Sequence, residues 1–315
     1  MHTTRRLTAT PEGIAEAAAL LQSSELVAFP TETVYGLGAV AHDPKAVAGI
    51  YAAKGRPSFN PLIVHVSDTD MARSLVRWND EASVLSDAFW PGPLTMVLPQ
   101  ATGSDIAPGV TAGLDTLAVR CPRHPLAQKL IEQTGAPLAA PSANPSGAIS
   151  PTTADHVLAG LNGHITALLD GGPCDVGLES TIVDLSGSPT ILREGGVTRE
   201  ALEHVLGPVP AFEPTSPDRP TSPGQLSSHY APRAKLRLDV DSAETGEVWL
   251  GFGGGAETWS LSPTGDLAEA AASLFDTLHR MDTAGVQRIA VSPIPNHGLG
   301  AAINDRLRRA AAPRP

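Results

Sequence analysis

Only two of the 315 residues are cysteine, Cys121 and Cys174, and they stand far apart in no metal-ligand spacing. That excludes a disulfide framework and a thiolate zinc site, and leaves two buried thiols as the expectation. Aromatic residues are scarce, at 4%, so the core has to be built from Ala, Val and Leu. The longest apolar runs, such as 62–66 and 94–98, fall far short of a membrane span. The start, Met1-His2-Thr3-Thr4-Arg5-Arg6, lacks the apolar stretch of a secretory leader, so a cytoplasmic location without membrane association is expected. Positive charge is short as well: the formal net charge is −11, and only four of the 22 cationic residues are lysine. Non-specific binding of a polyanion needs the opposite balance, so an anionic ligand would require a locally basic pocket. None of Lys45, Lys54, Lys129 or Lys235 lies in a Gly-Lys-Ser/Thr context, and neither His-Glu-x-x-His nor Gly-x-Ser-x-Gly occurs. Residues 251–256 fit a dinucleotide-binding pattern after a strand, but Pro263 and the lack of an amphipathic helix start make that stretch a flexible loop and nicotinamide binding improbable.

What is present is a globular, loop-rich chain with 30 Gly and 29 Pro in no triplet period. Its length favours two domains of unequal size. Thr10-Pro11 opens a capped helix that leads into a strand at 26–29, and Asp43-Pro44 opens another helix running to about Lys54. Further strands are expected at 62–66, 94–98, 116–120, 138–140, 165–169, 181–185 and 190–193, with helices near 125–133, 153–159 and 199–206. This describes a large mixed α/β domain over 1–207. Seven prolines between 208 and 232 mark an extended linker at 208–233. Strands at 235–240, 247–252 and 288–291 then alternate with helices at 267–281 and 299–311, as in a small Rossmann-like unit over 234–315.

Three polar constellations stand out. In the first, Lys54-Gly55-Arg56 puts two cations at a helix end, where they could converge on phosphate or carboxylate oxygens. Alone, such a triplet is more often a solvated helix end. Asn60-Pro61 follows at once and opens a strand on which Leu62, Val64 and Val66 share one face and Ile63 and His65 the other. In the second, Thr116 and Arg120 share a strand face, and the polar turn Pro141-Ser142-Ala143-Asn144-Pro145-Ser146-Gly147 could join them at a strand edge. Turn chemistry alone accounts for that composition equally well. In the third, Gly177-Leu178-Glu179-Ser180 enters a strand, and Arg193 ends another beside Gly195 and Gly196. Arg306, Arg308 and Arg309 near the end of the last helix are expected only to complement its dipole.

Taken together and in order, these segments resemble the Sua5/YrdC/YciO family. The resemblance rests on Pro30-Thr31-Glu32-Thr33-Val34-Tyr35-Gly36-Leu37-Gly38, Lys54-Gly55-Arg56-Pro57, Asn60-Pro61-Leu62, Trp90-Pro91-Gly92-Pro93-Leu94-Thr95, Ser142 to Gly147, Glu179 to Asp184, and His229-Tyr230-Ala231-Pro232. The second unit, ending in Gly298-Leu299-Gly300 through Arg306-Leu307, is similar to that of the long Sua5-type branch. The linker departs from the family, with Ser222-Pro223-Gly224-Gln225-Leu226-Ser227-Ser228 where a Met and basic or aromatic residues are usual.

The resemblance implies a YrdC-like mixed-sheet domain with a cleft, followed by a Sua5 C-terminal domain. It implies a nucleotidyltransferase that converts L-threonine, bicarbonate or CO2, and ATP into threonylcarbamoyl-AMP and pyrophosphate, with Mg2+ accompanying the ATP. That product would pass to a downstream transferase modifying adenosine 37 of tRNA, with weak tRNA binding a further expectation. By the same similarity Thr33, His65, Arg120, Ser142 and Ser180 would surround threonine, and Arg56, Asn60, Thr116, Ala140, Ser150, Arg193 and Tyr230 would surround ATP. Lys54 and Arg56 would face the phosphates and carbamate as the catalytic cations, no metal ligand is named, and Tyr230 would belong to a lid. Two other readings are carried: a YciO-like or carbamoyl-transfer enzyme, which threonine would not stimulate, and an RNA-binding module, which salt-sensitive tRNA affinity would reveal.

Overall fold

The computed structural model describes residues 3–212, 222, 228–254 and 259–313. Ten strands form one mixed sheet: β1 (Arg5–Thr8), β2 (Val27–Phe29), β3 (Gly36–Val40), β4 (Ile63–His65), β5 (Leu94–Pro99), β6 (Thr116–Arg120), β7 (Leu138–Ala139), β8 (Ala167–Asp170), β9 (Thr181–Asp184) and β10 (Thr190–Arg193), in the spatial order β1-β8-β2-β3-β7-β4-β6-β5-β9-β10. Eight helices connect them: α1 (Pro11–Gln22), α2 (Pro44–Lys54), α3 (Thr69–Leu75), α4 (Asp80–Phe89), α5 (Pro108–Thr111), α6 (Pro125–Thr134), α7 (Ala154–Leu161) and α8 (Arg199–Leu206). The capping chemistry read from the sequence operates here. The Thr10 hydroxyl accepts from the Gly13 amide, and the Asp43 carboxylate accepts from the Lys45 and Ala46 amides, each with proline in the first helical turn. Helix α2 stops on Gly55 at φ 58, a left-handed position that glycine fills without strain, and this turn sets Arg56 back toward the sheet.

The two faces of the sheet are covered differently, and that difference makes the site. One face buries Leu62, Val64, Val66, Met96, Leu98, Leu117 and Val119 in the largest core cluster, as the alternation at 62–66 predicts. On the other face, α1 and α6 pack over the β1-to-β7 half through Ile14, Leu21, Leu130, Ile131 and Phe29. The rest of that face, floored by Ile63, Val97, Ala118, Ile182 and Leu192, draws no apolar partner from a helix among the described residues. Elements absent from the sequence reading are β1, β3, α3, α4 and α5. Helices α3 and α4 begin at Asp68 and Asn79, whose side chains cap Met71 and Ala82, within segments too polar to show a clear apolar stripe.

The second unit is a parallel sheet of β11 (Lys235–Arg237), β12 (Val248–Phe252), β13 (Ser260–Ser262) and β14 (Arg288–Val291), in the order β11-β14-β12-β13, with α9 (Leu267–Thr283) and α10 (Leu299–Ala311). Strand β13 was not anticipated. Phe252 closes β12 in the middle of the glycine-rich stretch, and residues 255–256 lie outside the described residues, as do 213–221 and 223–227 of the expected linker. The unit's core around Leu274, Phe275 and Ile303 is continuous with Val34, Ile149 and Leu178 of the first unit. Contact is close: a Cβ on Gly177 would stand 2.5 Å from Ala272 Cα, so only glycine admits α9 at this distance. No described helix is long and apolar enough to cross a membrane.

Candidate active site

The register of β4 and β6 places His65 directly opposite Arg120, and both point to the open face of the sheet. Ser180 precedes β9 and Arg193 ends the antiparallel β10, so these two arrive from the far side of β5. With Thr33, Arg56, Ala140, Ser142 and Tyr230 they line one cavity, which Glu179 and His229 complete. The site thus lies across a sheet face, reaching past the strand edge that the turn at 141–147 suggested.

Arg120 is buried and committed on three sides: Nε donates to the Gly92 carbonyl at 3.3 Å, Nη1 to the Thr33 hydroxyl at 2.9 Å and Nη2 to Glu32 Oε1 at 2.6 Å. Two of its five N–H groups are left for a ligand. Burial would push the Glu32 carboxyl up, but Arg120 outweighs it and holds it below the ordinary carboxylate range. The acid-loving partner of Arg120 is therefore already built in, a role the sequence reading did not assign to Glu32. His65 is pulled down to about 3 by burial and then by Arg120, so its imidazole is neutral. Its ring stands edge-on to Phe29, and Nδ1 is buried with no partner.

Arg56 donates to the carbonyls of Asn60 and Pro61 at 3.2 and 2.9 Å, and burial lowers it to about 10, still charged at neutral pH. The Asn60 carboxamide is buried with neither Oδ1 nor Nδ2 partnered, and His229 Nδ1 is in the same condition. Orphaned groups of this kind each cost about 1–3 kcal/mol, and a polar ligand would remove that cost. Lys54 is 3% exposed and does not line the cavity; its ammonium donates to the carbonyls of Ser142 and Asn144 beneath it. Burial and then Arg56 drive its pKa well down, a shift that a bound anion would reverse. Arg193 donates to the Ser180 carbonyl at 2.9 Å and to its hydroxyl at 3.2 Å, and that hydroxyl also meets Thr95 Oγ1 at 2.7 Å. Ser150 sits one step behind the lining and donates to Glu179 Oε1 at 2.5 Å. Thr116 shares the Arg120 face but lies four residues along β6, about 13 Å away by strand rise, and lines a separate small cleft with Pro61 and Leu62.

Tyr230 is 1% exposed and enters from the stretch just before the second unit at φ 61, a left-handed conformation that costs a bulky residue about 1–3 kcal/mol and persists only where the surroundings impose it. Phe275 and His229 flank its ring. Arg306 is corrected outright: it does not complement a helix dipole in solvent but is 1% exposed and bonded to Glu179 Oε2 at 2.8 Å. Its position was readable, because Ile303, Arg306, Leu307 and Ala310 form the buried stripe of α10. Gly195 keeps Glu179 and Ser180 in place, since a Cβ there would lie 2.4 Å from the Glu179 carbonyl and 2.5 Å from Ser180 C. Gly195→Ala should destabilise the chain by about 3 kcal/mol. An unchanged urea midpoint would show that the loop yields instead.

Among the described residues no three His, Cys, Asp or Glu side chains gather to hold a metal. Glu32 and Glu179, the carboxylates nearest the cavity, are each engaged by an arginine. A divalent cation here would travel with a polyphosphate rather than occupy a protein cage.

Fold and site together define a two-unit α/β protein whose second unit roofs a buried, arginine-rich cavity on an open sheet face. Residues 19–195 match the Sua5/YciO/YrdC family, described as telomere recombination, and residues 197–312 match the Sua5 C-terminal family, described as the threonylcarbamoyl-AMP synthase C-terminal domain. The chain belongs to the Sua5/YrdC/YciO family, in its long, two-domain form. It is 43% identical over 334 residues to the threonylcarbamoyl-AMP synthase of Bacillus subtilis strain 168, covering 99% of this chain and 96% of that protein. The crystal structure of Pyrococcus abyssi Sua5 complexed with L-threonine superposes with a TM-score of 0.90 at 38% identity, covering 98% of both chains. A putative threonylcarbamoyl-AMP synthase of Mycobacterium tuberculosis is 41% identical over 197 residues, which is 62% of this chain but 89% of that shorter protein.

Proposed function

We propose that this chain is a threonylcarbamoyl-AMP synthase, joining L-threonine, bicarbonate or CO2, and MgATP to give threonylcarbamoyl-AMP and pyrophosphate. The observation that carries the reading is the convergence of Arg56, Arg120 and Arg193 with the unpartnered Nδ1 atoms of His65 and His229 in one buried cavity of an otherwise acidic chain. The full-length likeness to proteins of that name supports it.

The chemistry needs positioning more than covalent participation. The neutral amine of threonine adds to CO2 and loses a proton, giving a carbamate. A carbamate oxygen then attacks the α-phosphorus of ATP, and pyrophosphate leaves. In this scheme the free N–H groups of Arg120 hold the threonine carboxylate, while Thr33, Ser142 and Ser180 surround the amino acid. The neutral His65 Nδ1 serves as acceptor or donor without adding charge. Arg56 and Arg193 stabilise negative charge building on the phosphates, with Asn60, Ala140 main-chain groups and Tyr230 completing the nucleotide's surroundings. Lys54 would turn from the Ser142 and Asn144 carbonyls toward an incoming phosphate, whose charge favours its protonated form.

The product, a mixed carbamic–phosphoric anhydride, is consumed by a transferase that acts on a nucleophilic amine, here that of adenosine 37 in tRNA, and a cytoplasmic setting follows. Any direct tRNA contact is weak, given the net charge. The test is pyrophosphate release from MgATP with threonine and bicarbonate each omitted in turn. Release that requires both is the expected result; release indifferent to threonine would replace this reading with a carbamoyl-transfer or hydrolytic one.

A further inference from the structure

Arg306 is the largest fully buried side chain among the described residues, and it belongs to the last helix of the second unit. Its Nε donates to Glu179 Oε2 at 2.8 Å and its Nη2 to the Glu194 carbonyl at 2.9 Å, so it bridges both loops that carry Ser180 and Arg193. Its guanidinium carbon also lies 5.2 Å from the centre of the Tyr230 ring, and Nη1 is balanced by Asp305 at 2.8 Å. Glu179, a lining residue of the cavity, spends its other oxygen on the Ser150 hydroxyl at 2.5 Å. The chain Arg306–Glu179–Ser150 thus runs from the second unit through the cavity wall, at Glu179, to a hydroxyl directly behind it.

We propose that Arg306 is a positioning residue for nucleotide use: by holding Glu179 as a carboxylate it fixes the direction of the Ser150 hydroxyl, and by packing on Tyr230 it fixes the roof. This rests on the ATP-using reading above. The argument is one of hydrogen-bond polarity. An ionised Glu179 can only accept, so Ser150 must donate its single proton to it and offers a ligand nothing but lone pairs. Such a group recognises a donor, the amino group or a ribose hydroxyl of a nucleoside. A protonated Glu179 would donate instead, turning the Ser150 proton outward against the same ligand donor.

The charge state is set by what faces the carboxyl. Burial pushes Glu179 up, and Arg306 first, then Arg193, bring it below the ordinary carboxylate range. Tyr230 and Asp305 face the same cluster, with the neutral His229 beside them. Without Arg306, only Arg193 and the Ser150 hydroxyl remain to offset the burial, and the carboxyl rises. Arg306 lies in the region 197–312 that matches the C-terminal family, so it is a feature of the two-unit chain.

The experiment compares the full-length wild type with Arg306→Ala, Arg306→Lys, Glu179→Gln and the double variant Arg306→Ala/Glu179→Gln. Threonine-dependent pyrophosphate release and calorimetric MgATP binding are measured from pH 5.5 to 9, beside urea midpoints. For Arg306→Ala the expected result is a kcat/KM for ATP lower by roughly tenfold to a hundredfold, mostly in KM. The acidic limb of its profile should move up by about one pH unit. Arg306→Lys should recover part of the loss. The double variant, which has no carboxyl to titrate, should lose the shifted limb. A lowered urea midpoint with KM and acidic limb unchanged would make Arg306 a structural tie and overturn the proposal. If Arg306→Ala fails to fold, the lysine and Glu179→Gln variants carry the same comparison. A wild type without threonine-dependent release would sink the functional reading alone, because the pH dependence of MgATP binding in these variants still decides the role of Arg306.

Discussion

Arg120→Ala is expected to lower threonine-dependent pyrophosphate release by about a thousandfold, with the loss concentrated in the apparent affinity for threonine. Two effects combine. The substitution removes the N–H groups proposed for the substrate carboxylate, and it strands Glu32, whose Oε1 sits 2.6 Å from the guanidinium in a site closed to water. Breaking a buried pair from one side costs about 3–5 kcal/mol of stability, because the remaining charge has no solvent to turn to. The pH dependence separates the two. In the wild type, Glu32 is held below its unfolded value, so its stabilisation is complete above the ordinary carboxylate range and fades only as pH falls through the lower folded value. In the variant only backbone amides, that of Arg123 among them, oppose the burial and Glu32 rises, so the stability gap to wild type should narrow as pH drops toward 5. Activity should not recover in parallel, since acid restores no donor to the substrate. Arg120→Lys keeps the charge without the fork and should fall between the two. A variant that loses stability yet keeps its KM for threonine would show that Arg120 serves Glu32 alone.

The face on which His65 and Arg120 lie was legible in the sequence, because strand alternation is local: Leu62, Val64 and Val66 mark one side and leave Ile63 and His65 on the other. Their adjacency was not, since the pairing of β4 with β6 joins segments that no local pattern relates. The same division explains Thr116, which alternation correctly puts on the Arg120 face but whose distance along β6 keeps it out of the cavity lined by Arg120. Ion-pair partners were the least legible. Glu32 and Glu179 stood inside the quoted motifs, yet nothing in their spacing says that one meets Arg120 and the other an arginine 127 residues later in the last helix. Arg306 did leave a trace, an arginine on an otherwise apolar helical stripe, which signals either snorkelling or a buried partner. The helices α3 and α4 escaped because caps announce where a helix begins but a weak apolar stripe does not say that one follows.

The expectation of a lid gives the other large effect. A chain ending at residue 207 should retain the ten-stranded sheet, because all ten strands and the helices packed on them lie before that point. What it loses is specific. Val34, Ile149 and Leu178 would be exposed, having been packed in the core of the second unit, and Gly177 would no longer be covered by α9. The cavity would lose His229 and Tyr230 from its lining, and Glu179 would lose Arg306. Removing the roof admits water, which weakens each charge interaction with the phosphates, and removing Arg306 lets the Glu179 carboxyl rise. The expected result is a fall of about several hundredfold in kcat/KM for ATP, larger than Arg306→Ala because both contributions vanish together. Tyr230→Ala in the full chain separates them: it removes the ring from the roof while leaving Glu179 paired, and should cost about tenfold without moving the acidic limb of the pH profile. A folded 1–207 chain whose KM for ATP matches the full-length protein would mean that the second unit rests on the cavity without taking part in nucleotide use.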